Sequence, residues 1–333
     1  MVKTNIKKTM YNVPFIEQRA DPYLYKHTDG TYYFTGSDPS YDRISLRESS
    51  TLSGISKAKE KVIWKKHETG IMSCHIWAPE LHYLCGKWYI YFAAGEKEDV
   101  WKIRPYILEC TGPNPMEDDW IEKGPIKCST DDEFSFRAFS LDATVFEHRG
   151  ELYLVWAEKV GVGKMISNLY IAKMQDPYQL KTTQVLLTTP DYDWERKGYW
   201  VNEGPAILKR NGRIFLTYSA SSTGAYYCVG MLSAMEDSNL LDPRSWEKEP
   251  CPVLSTDAEK GIYGPGHNSF TKSEDGQSDI MVFHARQYEG IIGDPLYDPN
   301  RHAMLLTVKW EEDKPIFTFG NIIKQKPIEE KNK

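Results

Sequence analysis

Three carboxylates open segments of one design. Asp21 begins DPYLYKHTDGTYYF, Asp142 begins DATVFEHRGELYLVW and Glu203 begins EGPAILKRNGRIFLTY. Pro, Ala or Gly follows the acid; then come an apolar-polar alternation, a turn with glycine and a second alternation rich in aromatics. Two further segments share the design without a leading acid: PELHYLCGKWYIYF from Pro79 and HNSFTKSEDGQSDIMVF from His267. One acid at a strand start ordinarily caps turn amides. Three at matched positions point to chemistry that needs several carboxyl groups around one small volume. Glycosidic bond hydrolysis is such a chemistry: one carboxylic acid protonates the leaving oxygen while a carboxylate activates water or attacks the sugar. The acid stays protonated near neutral pH only where a neighbouring carboxylate or a dry pocket raises its pKa, so a third acid serves as a tuner. A divalent cation site is the rival use of three acids. Against it, the chain has no DxDxDG-type cluster, and His267 weakens an all-oxygen cage. HExxH, GxSxG and P-loop motifs are absent from the sequence.

The elements that must bring these acids together are written in the spacing of the turn glycines. Gly30, Gly86, Gly150, Gly212 and Gly276 lie 56, 64, 62 and 64 residues apart, and such a period marks a repeat architecture. After its hairpin, each copy adds a third strand-like run (ISLRESS, PYILEC, LYIAKM, YCVGML, AMLLTVKW) and a fourth (KVIW, DWIEKG, TQVLL, PCPVL, PIFTF). Each unit therefore reads as a four-stranded antiparallel meander. No window keeps a 3.6-residue apolar period, so almost no helix is expected. Solenoid repeats are shorter, about 20–45 residues, whereas hairpin-linked strands of this number suit blades around a channel. The expected fold is all-β: a five-bladed β-propeller with four antiparallel strands per blade, in a single catalytic domain over residues 1–333 whose charged end, 325–333, frays. The linkers 118–136 and 189–200 are long enough to shape a rim around one face.

In a propeller the strand nearest the axis opens each blade. Asp21, Trp77, Leu141 beside Asp142, Glu203 and His267 are thereby expected at one channel mouth. Trp77 offers a flat apolar face to a sugar ring, with Phe34 and Leu141 as further substrate-facing residues. Arg286, just after the second strand of the fifth copy, is placed to fix hydroxyls or the tuning acid. His75, His82 and His284 read as isolated, packed or hydrogen-bonded residues.

A net charge of -6 with scattered basic residues argues against nucleic acid and anionic membrane partners. No stretch approaches the roughly 18 apolar residues of a membrane span. The first residues carry lysines but no secretory apolar run, and the six cysteines form no CxxC pair; a cytoplasmic location with reduced thiols is the expectation.

The segments ADPY (Ala20 to Tyr23), HIWAPELHY (His75 to Tyr83), SLDATVF (Ser140 to Phe146), VNEGP (Val201 to Pro205) and YGPGHNSF (Tyr263 to Phe270) resemble, in order and spacing, those of glycoside hydrolase family 43. That family consists of five-bladed propeller enzymes acting on arabinose- and xylose-containing glycans. The resemblance covers nearly the whole chain. It implies Asp21 as general base, Glu203 as general acid and Asp142 as the acid that tunes and orients. It also implies inversion, for which the two catalytic carboxyls stand about 6.5–9.5 Å apart with a water between. No catalytic cofactor is implied, but a structural calcium or other cation in the axial channel near His267 is. HIWAPELHY together with SDPSYDRISLRES is most similar to the exo-acting α-L-arabinofuranosidases, releasing arabinose from 1,5-linked arabino-oligosaccharides. The alternatives are a β-D-xylosidase acting on xylo-oligosaccharides and a non-catalytic carbohydrate-binding propeller. A retaining fructan hydrolase fits less well, since the chain lacks both a WMNDPNG-like start and an RDP tripeptide.

Overall fold

The computed structural model describes residues 14–321, so the expected frayed tail at 325–333 lies outside the described residues. Among these residues the only α-helix is Leu52–Ile55, one turn whose first amides are met by Thr51. Apart from five short 3-10 turns, the remaining regular structure is strand, in keeping with the period-two pattern and the many aromatic and β-branched residues.

The first unit is a four-stranded sheet of β1 (Ala20–Lys26), β2 (Tyr32–Ser37), β3 (Arg43–Ser49) and β4 (Lys61–Lys65). The second is a four-stranded sheet of β5 (Cys74–Leu84), β6 (Lys87–Glu96), β7 (Asp99–Cys110) and β8 (Trp120–Pro125). The third holds β9 (Ser140–His148), β10 (Glu151–Val162) and β11 (Lys164–Asp176), with the short β12 (Gln179–Leu180) and β13 (Val185–Thr188) both on β11. The fourth runs β14 (Trp200–Arg210), β15 (Arg213–Ala220), β16 (Cys228–Met235) and β17 (Glu247–Lys248). A short parallel pairing of β11 with β14, Ile166 to Trp200 and Ser167 to Val201, joins these two units into one nine-stranded sheet. The last unit has β18 (Tyr263–Lys272), β19 (Asp279–Arg286) and β20 (His302–Thr307), followed by a separate pair, β21 (Lys309–Glu311) and β22 (Lys314–Ile316).

The outer strands depart from the sequence expectation in the last two units. PCPVL forms no strand, because Pro250 and Pro252 have no N–H to give to a ladder; only Val253 and Leu254 reach the Val229 carbonyl. PIFTF pairs with β21 instead of β20. The free edge of β20 is taken by the beginning of the described chain, where Phe15 and Ile16 donate to the Ala303 carbonyl and Ala303 donates back to Ile16.

The turn glycines Gly30, Gly86, Gly150, Gly212 and Gly276 all have φ between 72° and 92°, a region costly for residues with a Cβ. The five hairpin-opening strands form a closed circuit: β1 packs on β5 and β18, β5 on β9, β9 on β14, and β14 on β18. The core is correspondingly divided into layers between successive units. Tyr33 and Leu46 meet Leu81 and Trp88, Tyr91 and Ile107 meet Leu154 and Trp156, and Val155 and Ile171 meet Leu216 and Tyr218. Phe215 and Met231 meet Met281 and Phe283, and Ile280 and Val282 meet Leu24, Tyr32 and Phe34. Burying each such side chain is worth about 1.5–3 kcal/mol. Phe34 thus belongs to the layer closing the last unit on the first, edge-on to Phe15 at 6.4 Å, and not to a substrate-facing surface.

Candidate active site

At one level each hairpin-opening strand carries an extra residue relative to its partner, and β5 and β18 carry a second, between Cys74 and Trp77 and between Tyr263 and Gly266. The register slips between Ala20 and Tyr23, Trp77 and Glu80, Leu141 and Thr144, Glu203 and Ala206, and Gly266 and Ser269. Such a bulge re-aims side chains and often stands beside an active site. One residue in each bulge has a left-handed backbone: Asp21 (φ 50°), Ala78 (47°), Asp142 (54°), Gly204 (55°) and His267 (42°). A left-handed backbone is uncommon for non-glycine residues and is held by surrounding structure. The bulge therefore sorts the sequence-derived set into two adjacent levels. Asp21, Asp142 and His267 occupy the left-handed position, while Trp77, Leu141 and Glu203 precede it.

Four of these five left-handed amides are bound by a side chain from a neighbouring unit. Asp21 N–H donates to His284 Nδ1 (3.1 Å), Ala78 N–H to Ser37 Oγ (2.8 Å), Gly204 N–H to Asp142 Oδ2 (3.0 Å) and His267 N–H to Ser219 Oγ (2.6 Å). Gly204 is needed at its place by crowding as well as conformation, since a Cβ there would stand 3.1–3.3 Å from the His267 ring.

Asp21 is the most heavily partnered acid. Ser37 Oγ–H donates to Oδ2 at 2.5 Å, and Arg301 donates to Oδ1 at 3.3 Å. The Nδ1 atoms of His267 and His284 lie 3.2 and 3.4 Å from Oδ1. Burial alone would raise this carboxyl, but Arg301, then His267, outweigh burial and hold it well below the ordinary carboxylate range. Glu203 receives a single neutral donor, the Tyr227 hydroxyl at 2.7 Å on Oε1. Burial, with the charge of Asp21, raises Glu203 despite opposition from Tyr227, His267 and Lys159. Burial likewise lifts Asp142 to about 7, helped by Glu203 and Asp21 and resisted by His267 and the Gly204 amide. Burial pulls His267 down, yet the charges of Asp142, Asp21 and Glu203 leave it raised, a cation between acids. Burial drives His284 down to about 3, which agrees with its Nδ1 accepting the Asp21 amide as a neutral imidazole.

These groups floor a cavity of about 530 Å³ walled by Trp77, Trp101, Leu141, Tyr199, Trp200 and Leu296, with Lys159 and Arg301 also lining it. A pocket of that size suits a small ligand. His75 stacks behind Trp77 at 4.4 Å. Lys159 is drawn onto the Phe139 ring, 3.7 Å from its centroid.

The structure sends Arg286 elsewhere than the sequence suggested. Its guanidinium is buried and donates to the backbone carbonyls of Thr223 and Pro295, both at 2.7 Å, so it braces two rim segments. Arg301, fifteen positions after Arg286 and just before β20, reaches Asp21 instead and also donates to Tyr41 Oη at 2.8 Å. Arg301, Tyr227, Lys159 and the catalytic-level position of His284 escaped the sequence reading. Only the alternation of His284 with Arg286 on β19 hinted at any of them. Among the described residues, no group of three or more His, Cys, Asp or Glu side chains could hold a metal ion. His267 Nδ1 faces Asp21 and Asp142 (3.8 Å), so the cation expected from the resemblance has no such protein cage here.

A family model described as glycosyl hydrolases family 43 matches residues 11–316. The chain is 53% identical over 285 residues to an extracellular exo-α-(1→5)-L-arabinofuranosidase of Streptomyces chartreusis, covering 86% of this chain and 85% of that one. It is 51% identical over 300 residues to the enzyme of the same name from Streptomyces avermitilis, covering 90% of this chain but only 61% of that relative's length. A crystal structure of α-L-arabinofuranosidase from Lactobacillus brevis superimposes with a TM-score of 0.86 at 51% identity, covering 95% of this chain and 97% of that one. Both Streptomyces enzymes are named as extracellular, which overturns the cytoplasmic location expected from the N-terminal sequence. A leader is removed from a mature secreted chain, so the first residues were no evidence of compartment.

Proposed function

From the premise that the chain belongs to glycosyl hydrolase family 43, we propose that it is an inverting exo-α-L-arabinofuranosidase releasing single arabinose units from 1,5-linked arabino-oligosaccharides. The observation that carries this reading is the opposed proton affinity of two acids at one mouth. Asp21 is held ionised and Glu203 is held toward its protonated form. An inverting glycosidase needs that division of labour.

Asp21 accepts a proton from the attacking water on one side of the anomeric carbon. Glu203 gives its proton to the glycosidic oxygen as that bond breaks. Asp142 ties the Gly204 amide, next to Glu203, and is the leading charge that keeps His267 protonated against burial, the imidazolium that both other acids feel. Its position between His267 and Gly204 supports a tuning and orienting role. Trp77 and Leu141 supply apolar walls. This two-carboxylate scheme needs no catalytic cofactor. The closed circuit of five opening strands and the core layers between units support a single catalytic domain folded as a five-bladed propeller, with Phe15 and Ile16 closing the last blade.

A β-D-xylosidase is the nearest alternative, and the names of the relatives favour the arabinoside. Turnover of 4-nitrophenyl α-L-arabinofuranoside and of the β-D-xylopyranoside separates the two, together with product sizes from α-1,5-arabinotriose. Arabinose and arabinobiose are expected from the triose; a strong preference for the xyloside overturns the assignment. Proton NMR of the first-released sugar is expected to show the β-anomer, and a retained α-anomer rules out the inverting scheme.

A further inference from the structure

One buried hydroxyl touches the proton donor and has no part in the scheme above. Tyr227 stands just before β16, its ring lying flat against His284 with centroids 5.6 Å apart and planes 2° apart. On another side, a Cβ at Gly266 would fall 2.3 Å from the ring, so that strand position is kept bare for it. The slot fixes the phenol oxygen 2.7 Å from Glu203 Oε1.

We propose that Tyr227 is the positioning residue of the proton donor: its hydroxyl occupies Glu203 Oε1 and confines the transferable proton to Oε2. The inference rests on the reading of Glu203 as the general acid.

The direction of the hydrogen bond follows from a chain that starts at a backbone amide. His267 N–H donates to Ser219 Oγ at 2.6 Å, and an amide N–H cannot reverse that bond. With its oxygen so engaged, Ser219 has its hydroxyl hydrogen left to turn toward Tyr227, whose ring edge lies beside it at Gly266 and whose proton affinity it lowers. Tyr227 then has its own hydrogen left for Glu203. A protonated carboxyl has one hydroxyl oxygen and one carbonyl oxygen, and the oxygen that accepts from Tyr227 is the carbonyl one. During turnover the Oε2–H bond breaks and the proton passes to the glycosidic oxygen, which takes the electron pair of the broken C–O bond. The water oxygen bonds to the anomeric carbon, and its proton goes to Asp21. Glu203 is left as a carboxylate, and hydrogen bonds to an ionised acceptor are the stronger ones. Tyr227 therefore favours the proton-released state.

The other charged or titratable groups around Glu203 are Asp21 on β1, Lys159 on β10 and His267 on β18, with Asp142 on β9 reaching it through the adjoining Gly204 amide. None of these tells one Glu203 oxygen from the other by direct contact. Among the described residues, Tyr227 alone hydrogen-bonds a Glu203 carboxyl oxygen.

The test compares Tyr227→Phe, Ser219→Ala and Glu203→Gln with the unaltered protein on α-1,5-arabinotriose and on 4-nitrophenyl α-L-arabinofuranoside. Full pH profiles are recorded for each. For Tyr227→Phe, kcat/KM on the triose is expected to fall about 10- to 100-fold, within the contribution of a general acid. On the nitrophenyl substrate, whose leaving group needs little protonation, it should fall less than about 3-fold. The basic limb of the profile, which reports the acid, should move to higher pH because the carboxylate has lost a donor. Ser219→Ala should show the same substrate split and the same limb movement, each smaller, and it carries the test if Tyr227→Phe does not fold. Equal losses on both substrates with unmoved limbs, or no loss on the triose, overturn the proposal. A Glu203→Gln variant that cleaves the triose like the unaltered protein sinks the acid assignment itself. If Glu203→Gln fails on the triose while Tyr227→Phe does not, only the role of Tyr227 falls.

Discussion

Asp21 and Glu203 line one pocket, Asp21 buried and Glu203 half-buried, both on bulged opening strands, yet their proton affinities move in opposite directions. Burial pushes each carboxyl toward its neutral form, so burial does not tell them apart. Their partners do. Asp21 faces a guanidinium, a charged imidazole and a hydroxyl on two oxygens, with the neutral His284 ring behind. Glu203 meets one neutral phenol, and the cation on its side, Lys159, is held over the Phe139 ring. A third kind of buried acid lies outside the mouth. Glu195 accepts from the amides of Asp191 and Tyr192, from Asn202 and Tyr218, and from Lys248. So many donors leave a carboxylate no free lone pair for chemistry; it pins the 189–200 rim. The number and charge of the donors separates the proposed base, the proposed acid and the structural strut.

Removing the proposed base should break the comparison most completely. Asp21→Asn is expected to lower kcat/KM by about 10⁴-fold or more on both nitrophenyl and oligosaccharide substrates, because no leaving group replaces the activation of water. Steady-state rates on both substrates check this. Glu203→Gln comes next, with a loss of about 10²- to 10⁴-fold on arabino-oligosaccharides and a much smaller one on good leaving groups. An equal loss on the two would mean that Glu203 is not the acid.

Arg301→Met sharpens the electrostatic half of the comparison. Asp21 must be ionised to act, and Arg301 is the strongest influence holding its proton affinity down. Without that guanidinium, the acidic limb of the pH profile should move to higher pH, with about a 10-fold loss at neutral pH and the basic limb unmoved. The kcat/KM profile between pH 4 and 9 reads both limbs.

The smallest effects are on stability, and they carry opposite signs. The folded Asp21 carboxyl is depressed, so its contribution to stability is present above the unfolded value of about 3.9 and is lost as pH falls through the folded one. The folded Glu203 carboxyl is raised, so its contribution is complete below about 4.3 and is lost as pH rises through the folded value. At pH 7, Asp21→Asn should therefore lower Tm by a few degrees and Glu203→Gln raise it by a few. Thermal unfolding at pH 7 and pH 4 decides it, with the difference between the variants narrowing at pH 4.

Much of the fold was legible because its signals are local. Alternation of period two, five turn glycines and a spacing near 60 residues each depend on neighbours within one hairpin. The outer strands of the last two units were less legible. Prolines in PCPVL prevented a ladder, and the edge of β20 took its partner from Phe15 and Ile16, almost 290 positions earlier in the sequence. The same distance problem misassigned the arginine. Arg286 and Arg301 belong to one copy, and nothing in the local pattern says which reaches Asp21. Phe34 was misread for a related reason: alternation tells that a residue faces inward, but not whether it meets the channel or the next unit.

By itself, the sequence determined the all-strand architecture, the repeat, and the convergence of Asp21, Asp142 and Glu203, since residues at equal places in equal units must share a level. Tertiary structure decided which acid would hold a proton. The bulges split the level in two, and Arg301, His267, Ser37 and Tyr227 arrived from other strands, as much as 280 residues away for Arg301 and Asp21. Proton affinity is set by charges within a few ångströms, and that proximity comes only with the closed ring.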